Sequence, residues 1–278
     1  MGGKMRTGGH GRLGSVLSGL VVAVGCVLFL GGFVWGAVLY RPYTVPTESM
    51  HPTVTSGDRV LAQRIDGSEV RRGDIVVFTD PDWGNMPMIK RVVGVDGDKI
   101  ACCDADGRLT VNGRPVREPY LNTQGWGGKE AASPTEFTAT VPDGHLFLLG
   151  DQRASSQDSR VHLQDAGKGS VPRSAVTARL DAVVWPVDGI AVIDRPRGFA
   201  ALPGGVSEPG PVRPLAWAVA SGAALVLAGA AYGPLARLGS RSRSGPGASK
   251  PGASGPGASG PGAGAAGSRP SGGAAARD

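Results

Sequence analysis

The residue best suited to chemistry is a serine, Ser49, in the run VPTESMHP at residues 45–52. It lies nine residues after a hydrophobic stretch that ends at Tyr40. If that stretch spans a bilayer, nine residues of at most roughly 3.5 Å each hold the serine within about 30 Å of the membrane. A serine hydroxyl is a weak nucleophile that needs a nearby base and donors for an oxyanion. The position therefore favours substrates that are themselves held at a membrane.

Histidine is the usual base for such a serine, and this part of the chain has three histidines. His51 lies two residues from Ser49, so in an extended chain its side chain has little freedom to turn back towards the hydroxyl. His145 follows a tight turn and His162 lies in a polar loop, and we expect both side chains to be solvated. The histidines are therefore weak candidates for the base.

Lys90 is the remaining base, in the run MPMIKRVV at residues 86–93. In a strand it shares one face with Met88 and Val92. Burial among apolar side chains disfavours the ammonium and lowers the pKa, and only the neutral amine accepts a proton. The alternative is a solvated lysine or one paired with a carboxylate, and this run by itself leaves both open.

Two uncharged stretches divide the chain. Residues 16–39 and 214–236 carry no charged side chain, and each is long enough to cross roughly 30 Å of hydrocarbon. A cleaved signal peptide is the alternative for the first stretch, but its apolar region would be shorter and would end at small residues. The second stretch is rich in Ala and Gly, and a surface or core helix is its alternative. We predict an N-terminal segment 1–15, a transmembrane helix 16–40, an extracytoplasmic domain 41–213, a second transmembrane helix 214–236 and a disordered tail 237–278.

The net charge of +6 is unevenly distributed along the chain. The first 15 residues carry three basic residues and no acidic one, and residues 237–278 carry six basic residues and one acidic. Residues 41–213 carry 20 basic and 22 acidic residues. Basic flanks outside both apolar stretches place both termini in the cytoplasm and the domain on the opposite face of the membrane. The slightly acidic domain argues against nucleic-acid binding, whereas the basic tail suits an anionic lipid surface.

Residues 41–213 have the pattern of an all-β domain. Short segments rich in Val, Ile, Leu and Phe alternate with turn residues, and no long amphipathic helix interrupts them. The predicted strands are 59–65, 74–79, 88–95, 109–112, 136–141, 146–149 and 180–193. Asn112-Gly113 predicts a two-residue hairpin. We therefore expect a mainly β, largely antiparallel domain with a small cap subdomain at about 101–140, flanked by two transmembrane helices.

The cysteines suggest no metal site. Cys26 lies in the first apolar stretch, and Cys102 and Cys103 are adjacent in the domain. Consecutive Cα atoms are about 3.8 Å apart, which is shorter than the usual disulfide range. We expect two free thiols, with a disulfide between the neighbours as the alternative. Because no cysteine stands at a metal-ligand spacing to a histidine, we predict no metal and no cofactor.

Four segments in one order resemble the motifs of bacterial type I signal peptidases, the membrane-anchored Ser/Lys proteases that cut signal peptides from exported proteins. They are PTESMHPT at 46–53, GDRV at 57–60, KRVVGVDGDKI at 90–100 and GDQRASSQDSR at 150–160. The resemblance covers most of residues 40–190 and implies a two-part antiparallel β-sheet domain. It also implies a bacterial enzyme, since the endoplasmic-reticulum type has His where this chain has Lys90. Gln152, Asp96 and Leu163 depart from the usual asparagine, proline and glycine, and none of them removes a catalytic group.

The resemblance implies a role for each matched residue. Ser49 would be the nucleophile and Lys90 the general base, while the Thr47 hydroxyl and the backbone N–H of Ser49 would form the oxyanion hole. Ser156 would orient the lysine. The other matches are structural supports, Asp151, Asp158, Arg160 and Arg91, with Asp151 pairing with Arg91, and residues lining pockets for small side chains, Pro46, Met50 and Ile89.

The resemblance therefore implies a serine endopeptidase of the bacterial plasma membrane that removes signal peptides after Ala-X-Ala sequences. Its partners would be the signal peptides of exported preproteins and the lipid bilayer, and it would act near the secretion translocon. A non-catalytic membrane-anchored binding module is one alternative, but it would not need Ser49, Lys90 and Ser156 together. A self-cleaving Ser/Lys repressor is another, but it would carry a DNA-binding helix-turn-helix where this chain has an apolar stretch.

Overall fold

A long apolar helix leads directly into the first strand of a β domain. In this computed structural model, which describes residues 9–121 and 131–241, helix α1 spans Gly9–Leu39 and strand β1 spans Tyr40–Thr44. The side chains described are those of residues 14–121 and 131–232. Most of the tail predicted at 237–278, from residue 242 onward, lies outside the described residues.

The other elements are short strands, followed by one more long helix. The strands after β1 are β2 Arg59–Arg64, β3 Ile75–Phe78, β4 Met88–Val95, β5 Lys99–Cys102, β6 Thr110–Val111, β7 Arg114–Pro115, β8 Phe137–Thr140, β9 His145–Leu149, β10 Ser170–Pro172, β11 Val176–Trp185 and β12 Ala191–Val192. The helices after α1 are a single turn, α2 Arg197–Ala200, and the long α3 Val212–Arg241. The chain divides into two compact units, residues 1–233 and 234–278, and the described part of the second is helical.

The strands form two antiparallel sheets. The larger sheet has the order β1-β2-β11-β3-β4-β9-β10, with β12 paired to β11, and the smaller sheet has the order β7-β6-β5-β8. All the strand pairs within them are antiparallel. The prediction of a mainly β, two-part antiparallel domain flanked by two apolar helices is confirmed. The smaller sheet lies within residues 99–140, where the sequence predicts the cap.

The last predicted strand, 180–193, is divided in the structure. Strand β11 ends at Trp185, and a short 3₁₀ helix at Val187–Gly189 reverses the chain so that β12 pairs back onto β11. Pro186 has no N–H to donate to a sheet, and Asp188-Gly189 is a turn sequence. A single strand through these residues was therefore the wrong prediction.

The hydrophobic pattern did not predict β5 of the smaller sheet, and it also missed two strands that lie at the two edges of the larger sheet. These are β1 and β10, which contain Pro42 and Pro172. Proline lacks a backbone N–H, so sheets accept it at edges, where one side of the strand has no partner. A short strand that contains proline lacks a clear alternation of apolar residues, so this pattern does not predict it.

The prediction for the hairpin is confirmed, whereas the prediction for the adjacent cysteines is wrong. Asn112 and Gly113 have positive φ angles of 52° and 75° between the paired strands β6 and β7, so the predicted two-residue turn is confirmed. Cys102 and Cys103, in contrast, form a disulfide, so the expectation of two free thiols is wrong and its alternative holds. Strand β5 ends at Cys102, so the alternation of side chains between opposite faces no longer applies to Cys103.

The two long helices pack against each other through small residues. A Cβ added at Gly25 would lie 2.9 Å from the carbonyl oxygen of Gly222, and Ser18 Oγ donates a 2.8 Å hydrogen bond to the carbonyl oxygen of Gly229. Such close approach is typical of helix pairs in membranes. Residues 14–39 and 212–232 are apolar enough to span a bilayer, and only 11% of each window is buried. The structure therefore does not support a core helix as the alternative for the second stretch.

Candidate active site

Ser49 lies on the connection between β1 and β2, which is anchored on both sides of the serine. It occupies a 3₁₀ turn at Glu48–Met50, and the side chains of Val45 and Met50 are buried in the core beneath the larger sheet. The carbonyl oxygen of Ser49 accepts a 3.1 Å hydrogen bond from the backbone N–H of Gln152. The backbone of the serine is thus held by the core and by the loop that contains Gln152.

Lys90 comes from a central strand and reaches the serine directly. Strand β4 lies between β3 and β9, and Lys90 is paired with Val76 of β3. Its Nζ forms a 2.8 Å hydrogen bond with Ser49 Oγ, although the two residues are 41 positions apart in the chain. A nucleophile and its base are expected at this separation.

The environment of Lys90 favours the neutral amine more than water does. The residue is only 5% exposed. Burial disfavours the ammonium and lowers the pKa of Lys90 to about 8, while the carboxylates of Asp158 and Asp151 oppose this shift. The neutral amine, which is able to accept a proton, is therefore the minor form at pH 7 and becomes the major form above about pH 8. The alternative of a fully solvated lysine does not describe this side chain.

Thr47 contacts the same hydroxyl from the other side. Its Oγ1 donates a 3.2 Å hydrogen bond to Ser49 Oγ. The side chain predicted as an oxyanion donor is therefore beside the predicted nucleophile.

Ser156 is close to this group but is not hydrogen-bonded to Lys90. Its Oγ is buried and has no hydrogen-bond partner in the described part of the chain. A Cβ added at Gly150 would collide with Ser156 Oγ and with the carbonyl oxygen of Ser49. Ser156 thus packs tightly over Gly150, next to the serine backbone. The lysine contact predicted for it is absent from this arrangement because the hydroxyl faces the glycine.

Two buried ion pairs support the loop that contains Ser156. Arg91 donates to Asp151 through Nε and Nη2, at 2.8 and 2.7 Å. Arg160 donates to Asp158 through the same two atoms, both at 2.8 Å, and Asp158 also accepts from the backbone N–H of Gly150 at 3.0 Å. Bidentate pairs of this kind fix orientation as well as distance. All four residues predicted as supports therefore meet in pairs at one loop.

The structure also places three further side chains around these pairs. Glu118, Tyr120 and Arg153 are joined by hydrogen bonds behind the loop, and the ring of Tyr120 packs on Arg91. Arg153 lies inside a matched motif, and that position was the only signal that could have drawn attention to it. Glu118 and Tyr120 lie in a segment with no motif and no regular hydrophobic pattern, so sequence reasoning missed them.

A cleft of about 460 Å³ is lined by Ser49 and Lys90. It contains all three residues predicted to line pockets: Pro46, Met50 and Ile89. Its other lining residues include Met86, Met88 and Gln157. A larger cavity of about 870 Å³ is lined by residues 106–108, 115–119, 121, 132, 197, 198 and 201, and none of the predicted site residues lines it. The smaller cleft is therefore the candidate binding site.

The histidines take no part in the serine's hydrogen bonds in the described structure. His51 lies 4.0 Å from Glu48, with both side chains largely exposed. His162 is only 22% exposed, because its ring stacks on Trp83 and its Nδ1 bonds to Asp165 at 2.7 Å. The expectation that His162 is simply solvated is wrong, since an aromatic neighbour distant in sequence covers its ring.

Ser49 and Lys90 both lie within the part of the chain that a protein-family model matches. A model of the family described as signal peptidase, peptidase S26, matches residues 15–185. The chain therefore belongs to the bacterial type I signal peptidases of this family, hydrolases that cleave signal peptides. Its two apolar helices make it a membrane-anchored member.

Two relatives found by sequence agree with this assignment. A probable signal peptidase I of Mycobacterium leprae is 32% identical over 219 residues, covering 60% of this chain and 74% of that protein. A signal peptidase I of Bacillus licheniformis is 33% identical over 183 residues, covering 63% of this chain and 90% of that protein. A crystal structure of a signal peptidase I from Enterococcus faecalis V583 is 29% identical, covering 40% of this chain and 95% of that one, with a TM-score of 0.33.

Proposed function

We propose that Ser49 and Lys90 are a catalytic dyad that cleaves signal peptides after Ala-X-Ala sequences at the outer face of the membrane. The observation that carries the proposal is the 2.8 Å contact between Lys90 Nζ and Ser49 Oγ inside a cleft. Neutral Lys90 takes the proton of Ser49 as Oγ attacks the scissile carbonyl carbon. The product of this step is a tetrahedral intermediate with a negatively charged oxygen.

The remaining steps use the same lysine, first as a proton donor and then again as a base. As the C–N bond breaks, Lys90 returns the proton to the leaving amine, and an ester joins the signal peptide to Ser49. A water molecule then attacks this ester, with Lys90 again accepting a proton. The bond between the carbonyl carbon and Ser49 Oγ breaks, Lys90 returns the proton to Oγ, and the signal peptide leaves as a carboxylate. The hydroxyl of Thr47 and the backbone N–H of Ser49 donate to the oxyanion both when the ester forms and when it is hydrolysed.

The supporting residues hold this geometry in the proposal. In the proposal Ser156 orients the lysine through its buried hydroxyl, which has no hydrogen-bond partner in the described part of the chain and so is free to rotate. The pairs Arg91–Asp151 and Arg160–Asp158 keep the loop in place. Replacing Ser156 by alanine should lower the cleavage rate, but by less than replacing Lys90. An unchanged rate in the Ser156→Ala variant would remove Ser156 from the proposal.

In the proposal, specificity for small side chains comes from apolar residues that line the cleft. Pro46, Met50 and Ile89 line it beside the serine, and Met50 is fully buried. These residues would form pockets that accept alanine and exclude larger side chains at the first and third positions before the cut. We expect mass spectrometry of a preprotein incubated with the enzyme to show one cut, after an Ala-X-Ala sequence. Replacing the last alanine by phenylalanine should abolish that cut, and cleavage after large residues would contradict the assigned pockets.

The proposed topology places both termini in the cytoplasm, with residues 41–213 outside and near the secretion translocon that delivers the substrates. It rests on the basic residues that flank both apolar helices on their outer ends in sequence. An epitope inserted at the exposed Asn112-Gly113 turn should be recognised on intact protoplasts, while an epitope after Asp278 should require permeabilisation. The reverse pattern would overturn the topology without affecting the dyad.

A further inference from the structure

A buried carboxylate outside the matched motifs holds the active-site loop from behind. Glu118 has a side chain that is 3% exposed, and it receives two hydrogen bonds from Arg153, Nη1 to Oε2 at 3.1 Å and Nη2 to Oε1 at 2.6 Å. Arg153 itself is 5% exposed. Two charges this deeply buried persist only when both are paired with good geometry.

Arg153 transmits this contact to the loop. Its Nε donates to the carbonyl oxygen of Gly150 at 3.1 Å, and its Nη1 also donates to the carbonyl oxygen of Ala132 at 2.6 Å. Its own carbonyl oxygen accepts from Arg160 at 2.8 Å. All three guanidinium nitrogens are therefore engaged, and they tie Glu118 to the loop at Gly150.

Glu118 also reaches the strand that contains Lys90, through Tyr120. The Tyr120 hydroxyl donates to Glu118 Oε1 at 2.5 Å, and the guanidinium carbon of Arg91 lies 3.9 Å from the centre of the Tyr120 ring. Arg91 directly follows Lys90 in β4. The five residues Arg91, Glu118, Tyr120, Asp151 and Arg153 thus form one buried set of contacts, which we call the Glu118 network.

The Glu118 network meets the serine at its backbone. Gly150 begins the loop whose Gln152 N–H donates to the carbonyl oxygen of Ser49, and no side chain would fit at Gly150 against Ser49 and Ser156. One end of the network therefore fixes the loop against the nucleophile, and the other end fixes the strand of the base. Arg91 joins this strand to the loop directly through Asp151, and Glu118 adds a second connection between them through Arg153 and Tyr120.

We infer that Glu118 is a positioning residue for cleavage, which sets the Ser49–Lys90 distance by holding Arg153 and Tyr120 in place. The inference rests on the proposed dyad. It adds Glu118, which lies between β7 and β8 in the sequence, to the residues that position that dyad. A displacement of about 1 Å between reacting groups costs roughly 10²-fold in rate. Without the Glu118 carboxylate, the buried guanidinium of Arg153 is left uncompensated and moves towards water, taking the loop with it.

The test compares Glu118→Gln with two companion variants in the full-length enzyme. We expect Glu118→Gln to lower kcat by roughly 10²-fold with KM nearly unchanged, because the cleft walls are retained and only the reacting groups are displaced. The pH at which kcat/KM is half-maximal should also move upward, since a loosened site admits water to Lys90. Glu136→Gln, an exposed acid in the same region, should leave all three quantities unchanged.

The companion variants separate positioning from general stability. Glu118→Gln alone leaves a buried charge without its partner and should lower the melting temperature. Adding Arg153→Met removes the second charge, so the melting temperature of the double variant should return towards the wild-type value while its kcat stays low. Tyr120→Phe keeps the ring on Arg91 but loses the bond to Glu118, and it should give a smaller fall in kcat in a folded protein. Wild-type kcat and an unchanged pH profile in folded Tyr120→Phe and in the double variant would overturn the inference. Near wild-type activity in a Lys90→Met variant would instead overturn the dyad. Failure of the Glu118 inference and failure of the proposed dyad are therefore distinguishable.

Discussion

Replacing Ser49 by alanine is expected to lower the rate of preprotein cleavage by a factor on the order of 10⁶, because no other described hydroxyl lies within hydrogen-bonding distance of both Lys90 and Thr47. The change removes one oxygen atom and leaves the buried anchors Val45 and Met50 in place. We therefore expect the variant to fold normally and to bind signal peptides with unchanged affinity. Single-turnover cleavage in detergent, followed by mass spectrometry, measures the loss.

The matched control for this prediction is Ser174→Ala, at an exposed serine away from the cleft. It should cleave at the wild-type rate. A folded Ser49→Ala enzyme that retained more than a small fraction of the activity would show that another group is the nucleophile.

Replacing Lys90 by methionine is the second change with a large expected effect. Methionine keeps most of the length and apolar surface of the lysine but has no basic nitrogen, so the cleavage rate should fall by roughly 10²–10⁴-fold. Lys90→Arg should be similarly inactive, because a guanidinium stays protonated and cannot accept the serine proton. Since nucleophile and base act as a unit, the Ser49→Ala/Lys90→Met double variant should be no slower than Ser49→Ala alone.

The pH dependence of the wild-type enzyme tests the same lysine without a substitution. Below its pKa of about 8, Lys90 is mostly protonated and cannot act as a base, so kcat/KM should rise with pH and level off above that value. Lys99→Met, at an exposed lysine on β5, should leave the profile unchanged. A rate that stayed constant from pH 5 to about pH 10, near the ordinary pKa of lysine, would exclude Lys90 as the base.

Several parts of the fold were predictable because they depend on neighbours in the chain. The two apolar helices follow from uncharged stretches, and the Asn112-Gly113 hairpin follows from residues that tolerate positive φ. The edge strands β1 and β10 were missed because Pro42 and Pro172 conceal them, and the division between β11 and β12 was missed because their combined apolar run continues past Pro186.

For the candidate site, too, some features depend on local sequence and others on contacts between distant residues. The sequence by itself determined that a serine follows an apolar helix, that Lys90 lies on a strand, and that both belong to motifs in a recognisable order. Only the tertiary structure decided that the two side chains meet at 2.8 Å, that burial lowers the pKa of Lys90, and that Ser156 faces Gly150. It also decided that Glu118 lies behind the loop. These contacts join residues tens of positions apart, so they depend on strand pairing and packing, which local sequence patterns do not specify.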